Sequence, residues 1–191
     1  MGARSGKDHW AFETHTAHFD VQKGLLTDLL VVENVPEYNV ECVRQALGPA
    51  YKVHSVKVDP RAFGQRAARA RVYVVAYRRK ALKFRDGTSL HGMLSLLRQK
   101  PILSISDYFW KKLPTMLLSA PNELERYLHP EEALSTHLLP MTASQSSACG
   151  SPKLNMRQVP PTEMVRMAGN AMSVPVVGAI CLVCILGLER T

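Results

Sequence analysis

The chain has 191 residues, 46% of them hydrophobic and 21% charged, which suits one ordinary domain with its own core and excludes the low-hydrophobicity, high-charge profile of a disordered chain. The formal net charge is +8, and Arg61, Arg66, Arg69, Arg71, Arg78, Arg79, Lys80, Lys83 and Arg85 fall in one window without an acidic residue; the window reads equally as a solvated basic face or as a site for a polyanion whose counterions it displaces. Cys42, Cys149, Cys181 and Cys184 are too few and too irregular for a disulfide framework, so a reducing compartment is expected.

Met1 to Asp20 is polar, rich in histidine and without an apolar h-region, so residues 1–24 read as a leader without a clear period rather than a signal peptide. Leu29, Leu30, Val31 and Val32 form a continuous apolar run that ends at Glu33, Asn34, Val35 and Pro36, the pattern of a strand buried on both faces. Residues at the C-terminal end of such a strand lie on the sheet edge where α/β proteins bind ligands. Asn39 is a candidate N-cap for a helix with Val40, Val43 and Leu47 on one face, stopped by Gly48 and Pro49.

Tyr51, Val53, Val56 and Val58 alternate as a strand whose phase slips at Ser55, which predicts a bulge. A third strand is expected over Val72 to Tyr77, after the loop holding Asp59, Pro60 and Gly64. From Lys80 to about Pro160 prolines break the chain into short pieces. His91 to Leu97 and Glu123 to Leu128 are expected as short helical turns, and the Ser-rich stretch Thr142 to Pro152 as a loop. Pro161, Thr162 and Glu163 open a final apolar helix expected to run past Gly169 to about Leu188.

Three separated segments, in order, resemble the DNA (cytosine-5) methyltransferase family. They are Val32-Glu33-Asn34-Val35-Pro36, similar to its Glu-Asn-Val strand end; Phe63-Gly64 with Arg69-Ala70-Arg71-Val72, similar to its Gln-x-Arg-x-Arg segment; and Ala168-Gly169-Asn170-Ala171-Met172-Ser173-Val174-Pro175, similar to its Gly-Asn helix start. Enzymes of that family flip a cytosine out of the duplex and add a thiolate to C6, which makes C5 enamine-like. The resemblance implies that Glu33 bonds the cytosine N3 and amine, and that Arg69 and Arg71 hold O2 and the nearby backbone with their fixed donor forks. It assigns Asn170 and Ala171 to the amino-acid end of S-adenosyl-L-methionine, while the basic window offers Arg61, Arg66, Arg78, Arg79 and Lys80 to double-stranded DNA.

The implied fold class is α/β: a partial Rossmann-like S-adenosylmethionine-dependent methyltransferase sheet with an irregular small target-recognition region. Residues 25–86 would carry the C-terminal half of the catalytic sheet, 87–160 the variable target-recognition-like region and 161–191 the returning C-terminal helix. Two departures stand out. The family glutamine aligns with Ala67 while Gln65 lies two positions earlier, and neither the Phe-x-Gly-x-Gly donor loop nor the Pro-Cys nucleophile matches anything before Glu33. The chain is therefore expected to be inactive alone, completed by a segment or partner chain carrying the other half, and located in the nucleus if eukaryotic or otherwise in the cytoplasm.

Some residues invite other chemistry. Cys42 has no nearby activating base in the sequence, so it is not expected as a nucleophile. Cys181 and Cys184 form a Cys-x-x-Cys without a second ligand pair, which reads as core and not as a metal site. Tyr108, Trp110, Lys111 and Lys112 read equally as a patch facing DNA or as the anchor of a small core. Two rival functions remain: a non-catalytic DNA-binding or regulatory module, and a protein tail-anchored by the uncharged stretch between Met167 and Glu189. Pro175, Asn170 and Ser173 argue against the anchor, and no membrane partner is expected.

Overall fold

The computed structural model describes residues 10–65, 68–100 and 129–191. Its architecture is mixed α/β with two small antiparallel sheets. Two compact units are each assembled from separated stretches, the first from Met1–Val58, Ala70–Leu96 and Cys181–Thr191, the second from Asp59–Arg69 and Leu97–Ile180.

In the first unit, helix α1 (Trp10–Gly24) leads into strand β1 (Leu29–Asn34), helix α2 (Val40–Leu47) and strand β2 (Tyr51–Val58). Strand β3 (Arg71–Arg78) then enters between the two strands, giving the order β1-β3-β2. Both neighbours run antiparallel to β3, so β1 and β2 point the same way, linked through α2 with one strand space left for β3. Six successive residues of β3, Val72 to Tyr77, are buried, as a central strand covered on both faces requires.

Helix α2 forms where the sequence predicts it. The Asn39 side chain accepts from the Glu41 amide at 3.1 Å, and Gly48 closes the helix at φ 67°, a left-handed angle that glycine adopts without strain. Its Val43 and Leu47 pack with Leu30, Tyr51, Val74 and Ala76 of the sheet. Phe19 of α1 completes that core at 1% exposure. The expected leader is thus in part a docked helix: its amphipathic pattern is weak, and one aromatic side chain supplies the tertiary contact that local periodicity does not reveal.

The expected bulge at Ser55 is absent. Pairing is one-to-one from Tyr51↔Arg78 to Val58↔Arg71. The apolar phase changes because Tyr51 and Val53 join the α2 core, whereas Val56 and Val58 lie on the opposite face of an unbroken strand. Strand β4 (Leu82–Phe84) and helix α3 (Leu90–Leu96) follow, and β4 pairs with the last strand, β5 (Leu188–Arg190).

The second unit holds helices α4 (Pro130–Ser135), α5 (Ala143–Cys149) and α6 (Pro161–Asn170). Leu134, Met141, Met156, Met164 and Ala168 form its core. Helix α5 replaces the expected loop. Thr142 and Gln145 form a reciprocal capping box, and Gly150 closes the helix in the left-handed region, so serines that weaken a helix interior are tolerated between two strong caps. The single final helix expected from Pro161 is two: α6 stops at Asn170, and α7 (Val174–Gly187) restarts after Ala171, Met172 and Ser173. Pro175 explains the break, because the residue before a proline avoids helical angles and Pro fits only a first turn. Helix α7 runs from the second unit into the first at Cys181. The expected turn at Glu123 to Leu128 and the patch around Trp110 lie outside the described residues.

Candidate functional site

Glu33 and Arg71 meet at one end of the three-stranded sheet. Glu33 pairs across the ladder with Tyr73, so Arg71, two residues earlier on β3, is its diagonal neighbour on the same face and within reach of a long side chain. Arg71 Nε lies 3.0 Å from Glu33 Oε1, with the side chains 21% and 14% exposed. Arg71 Nη1 donates to the Ala70 carbonyl at 2.8 Å. Among the described residues, Glu33 Oε2 and Arg71 Nη2 have no hydrogen-bond partner. An acceptor and a charged donor therefore stand side by side, unspent. Next to them the Asn34 side chain accepts from the Val35 amide at 2.8 Å, and the Tyr38 amide donates to the Val35 carbonyl at 3.0 Å, which holds the turn leaving the strand tip.

Arg69 is elsewhere. It belongs to the second unit, where Nη2 donates to the Gly169 carbonyl at 2.5 Å. Gly169 lies in the last turn of α6, whose exposed carbonyls and negative dipole end favour a cation. The Arg-x-Arg pair of the sequence thus divides, Arg71 going to the carboxylate and Arg69 to a helix end.

The basic window divides too. Arg61 binds Asp59 through Nε at 2.9 Å and Nη2 at 3.1 Å, and these bonds hold the Asp59 carboxyl below its usual range, against a smaller opposing effect of burial. Arg78 places Nη2 at 2.6 Å and Nε at 3.0 Å from one Asp28 oxygen. Arg79 and Lys80 are exposed at the far end of β3 from Arg71, roughly 23 Å away at 3.3 Å per residue. Arg66 lies outside the described residues. The cations adjacent in sequence do not form one patch on this sheet.

Asn170 and Ala171 line a cavity of about 360 Å³ on the second unit with Leu134, Leu139, Arg166 and Met167. Arg166 is paired with Glu163 at 2.7 Å. Among the described residues, the lining offers an amide and a cation to a carboxylate but no acidic group for a ribose or a sulfonium-bearing amino acid. S-adenosylmethionine as a whole does not fit these residues.

Cys42 Sγ donates to the Asn39 carbonyl at 2.7 Å and lies 3.4 Å from Tyr38 Oη, which His15 Nδ1 meets at 3.2 Å. Burial raises the Tyr38 pKa well above its usual value, and the bond to Cys42 and its charge act in the same direction. A phenol held protonated is no base for that thiol. Cys184 is buried as expected of a core residue, whereas Cys181 is exposed. Sequence reasoning assigned no role to Gln65, His137 and Ser173, which are buried polar residues of the second unit; Gln65 lies beside the arginine segment and Ser173 within the Gly-Asn segment, whereas His137 has no such signal. No family model matches the sequence, and no curated protein matches it.

Proposed function

We propose that the chain is a DNA (cytosine-5) methyltransferase-type polypeptide that holds an extruded cytosine between Glu33 and Arg71. The observation that carries this reading is the unspent Oε2 and Nη2 of the ion pair. A cytosine presents an amine donor at C4 and an acceptor at O2, with N3 between them. The carboxylate accepts from the amine and from N3 once that nitrogen is protonated, and the guanidinium donates to O2. Withdrawing electron density at N3 and O2 makes C6 more electrophilic, which is the help a thiolate addition needs.

The crossover β1-α2-β2 with β3 antiparallel between its strands supports the finer reading of the fold, the later strands of a Rossmann-like methyltransferase sheet with its antiparallel final pair. In the resembling family S-adenosylmethionine supplies the electrophilic methyl group. Because the residues described here do not fit that donor, and Cys42 lacks a base, the chain's own part is limited to binding and polarising the base. Double-stranded DNA is the proposed partner, with a further chain or segment supplying donor loop and nucleophile.

The test is duplex binding by fluorescence anisotropy at low salt, with cytosine or thymine opposite an abasic site so that extrusion costs little. Cytosine should bind about tenfold more tightly than thymine, one good bidentate contact corresponding to about 1–3 kcal/mol, and Glu33→Gln should erase the preference. Equal affinity for both bases in the unsubstituted chain defeats the reading.

One observation favours a second reading, association with a membrane. Pro161–Gly187 spans 27 residues with mean hydropathy 2.1 in its most apolar window, of which 28% is buried, and Leu182, Ile185 and Leu186 are exposed. The interruption at Ala171–Ser173 counts against a continuous span. Retention in the pellet after carbonate extraction would favour this reading over the first.

A further inference from the structure

We infer that the free edge of strand β1 is an interface between two copies of this chain, the two β1 strands pairing antiparallel about Val31. The inference rests on the three-stranded sheet of the first unit and does not depend on the cytosine reading. Leu29 to Val32 are apolar toward both sheet faces, the composition of an interior strand. Yet the order β1-β3-β2 leaves β1 at an edge, with Val31 40% exposed. The other edge differs: β2 carries Lys52 and Lys57, both exposed, and lysines on an edge strand keep other strands away. Strand β1 has no lysine, proline or glycine.

The ladder shows what that edge offers. Asp28 stands opposite Arg78, one pair beyond Leu29↔Tyr77 in the same register, and the Arg78 amide donates to the Asp28 carbonyl at 2.9 Å. Hydrogen-bonded and non-hydrogen-bonded pairs alternate along an antiparallel ladder. Leu30, Val32 and Asn34 therefore bond to β3, whereas Leu29, Val31 and Glu33 turn their N–H and C=O groups outward. Among the described residues, no backbone group of those three has a further partner. A row of backbone donors and acceptors at strand spacing takes another extended strand.

The register selects a second copy. A two-fold axis at Val31 sets Val31 against Val31 of the other copy, Leu29 against Glu33 and Leu30 against Val32. Outward residues then oppose outward residues, so each free N–H and C=O of the edge gains a partner and each sheet face continues across the axis. Leu30 and Val32 extend the apolar face that α2 covers, and the two Val31 side chains cover each other on the opposite face. Charge permits the approach: Asp28 is paired with Arg78 and Glu33 with Arg71, so neither copy brings an unpaired charge along this strand. The flanks agree as well. Leu25 and Leu26 before the strand are 70% and 61% exposed and Val35 after it 48%, and antiparallel pairing brings the leading flank of one copy to the trailing flank of the other.

The experiment uses the full chain in sedimentation equilibrium, over a concentration series up to about 100 µM because a small interface binds weakly. A monomer–dimer equilibrium is expected. Val31→Lys, which gives this edge the protection that β2 already has, should weaken the dimer about tenfold or more, and Lys52→Gln on the opposite edge should leave it unchanged. The two opposed Val31 Cα atoms, about 5.5 Å apart in such a pair, lie within disulfide reach. Val31→Cys should therefore form an interchain disulfide under mild oxidation, found by mass spectrometry as one peptide joined to its own copy through position 31. If Val31→Lys loses its far-ultraviolet circular dichroism, that cross-link decides the matter. A chain that stays monomeric throughout the series overturns the proposal and leaves the edge to a strand of another chain. A dimer that Val31→Lys leaves intact, or whose introduced thiols do not join, overturns it too and means that the copies meet through a different face.

Discussion

Glu33 and Arg71 illustrate how much a single pairing decides. The ion pair is mostly withdrawn from water, at 14% and 21% exposure, so it falls between surface pairs worth at most about 1 kcal/mol and buried pairs whose disruption costs about 3–5 kcal/mol. Arg71→Ala, which leaves a carboxylate without its partner, should destabilise the chain by about 2 kcal/mol, and Glu33→Gln by less. Urea denaturation of both single variants and the double variant checks this, strict additivity being the result that removes the coupling. His54 is a second residue-level case. Its ring stacks on Tyr77 at 5.6 Å between centroids and meets the edge of Phe84 at 5.5 Å, and burial lowers its pKa, followed by the charges of Lys52, Arg44 and Arg79. The unfolded chain therefore binds the proton more readily than the folded one. The stability that His54 contributes is fully present above its unfolded value of 6.5 and is lost as pH falls from there through the lowered folded value. Urea midpoints should drop between pH 7.5 and 5, and His54→Phe should flatten that part of the profile.

At the scale of elements, the junction of α7 and β5 is closely packed around Gly187. A β-carbon added at Gly187 would meet Met93 Sδ at 2.6 Å and Phe84 Cε1 at 3.0 Å. Met93 can swing aside, but Phe84 is held in the His54–Tyr77 cluster, so Gly187→Ala should cost about 1–3 kcal/mol as overpacking does. A thermal melt reads the effect directly, and an unchanged melting temperature would show that β4 yields. Helix α1 makes the complementary point about legibility. Its sequence is polar and weakly patterned, yet Phe19 sits in the α2 core, and Phe19→Ala should cost about 3–5 kcal/mol with loss of helical circular dichroism from α1. Helix α2, with a capped start, an apolar face and a glycine stop, could be read from its own residues. Helix α5 was missed although Thr142 and Gln145 have capping-box spacing, because serine content outweighed the cap in a local reading.

For the molecule as a whole, the sequence contains neither a Pro-Cys pair nor a Gly-rich loop before Glu33. On the proposed reading, in which donor loop and nucleophile come from another segment or chain, the 191-residue chain should bind a CG-containing duplex and transfer no labelled methyl group to it. Turnover above background would mean that the chain supplies its own nucleophile. Duplex binding should also weaken steeply with salt. If Arg71 and the Arg79–Lys80 pair touched one duplex together, their roughly 23 Å separation would span about seven base pairs at ~3.4 Å per step.

The strand positions of Leu29–Val32 and Val72–Tyr77, the cap and stop of α2, and the glutamate at a strand tip were decided within a few residues of chain, which is why local reading found them; that Leu29–Val32 is an edge strand with Val31 40% exposed, and not one buried on both faces as expected, depends on strand order, which only the sheet sets. Tertiary structure decided the rest. Antiparallel insertion of β3 between β1 and β2 set the register that brings Arg71 to Glu33, and docking of α6 drew Arg69 away to Gly169. Neighbours in sequence went to different partners because side-chain position depends on strand register and helix ends, which long-range packing fixes and local composition does not encode.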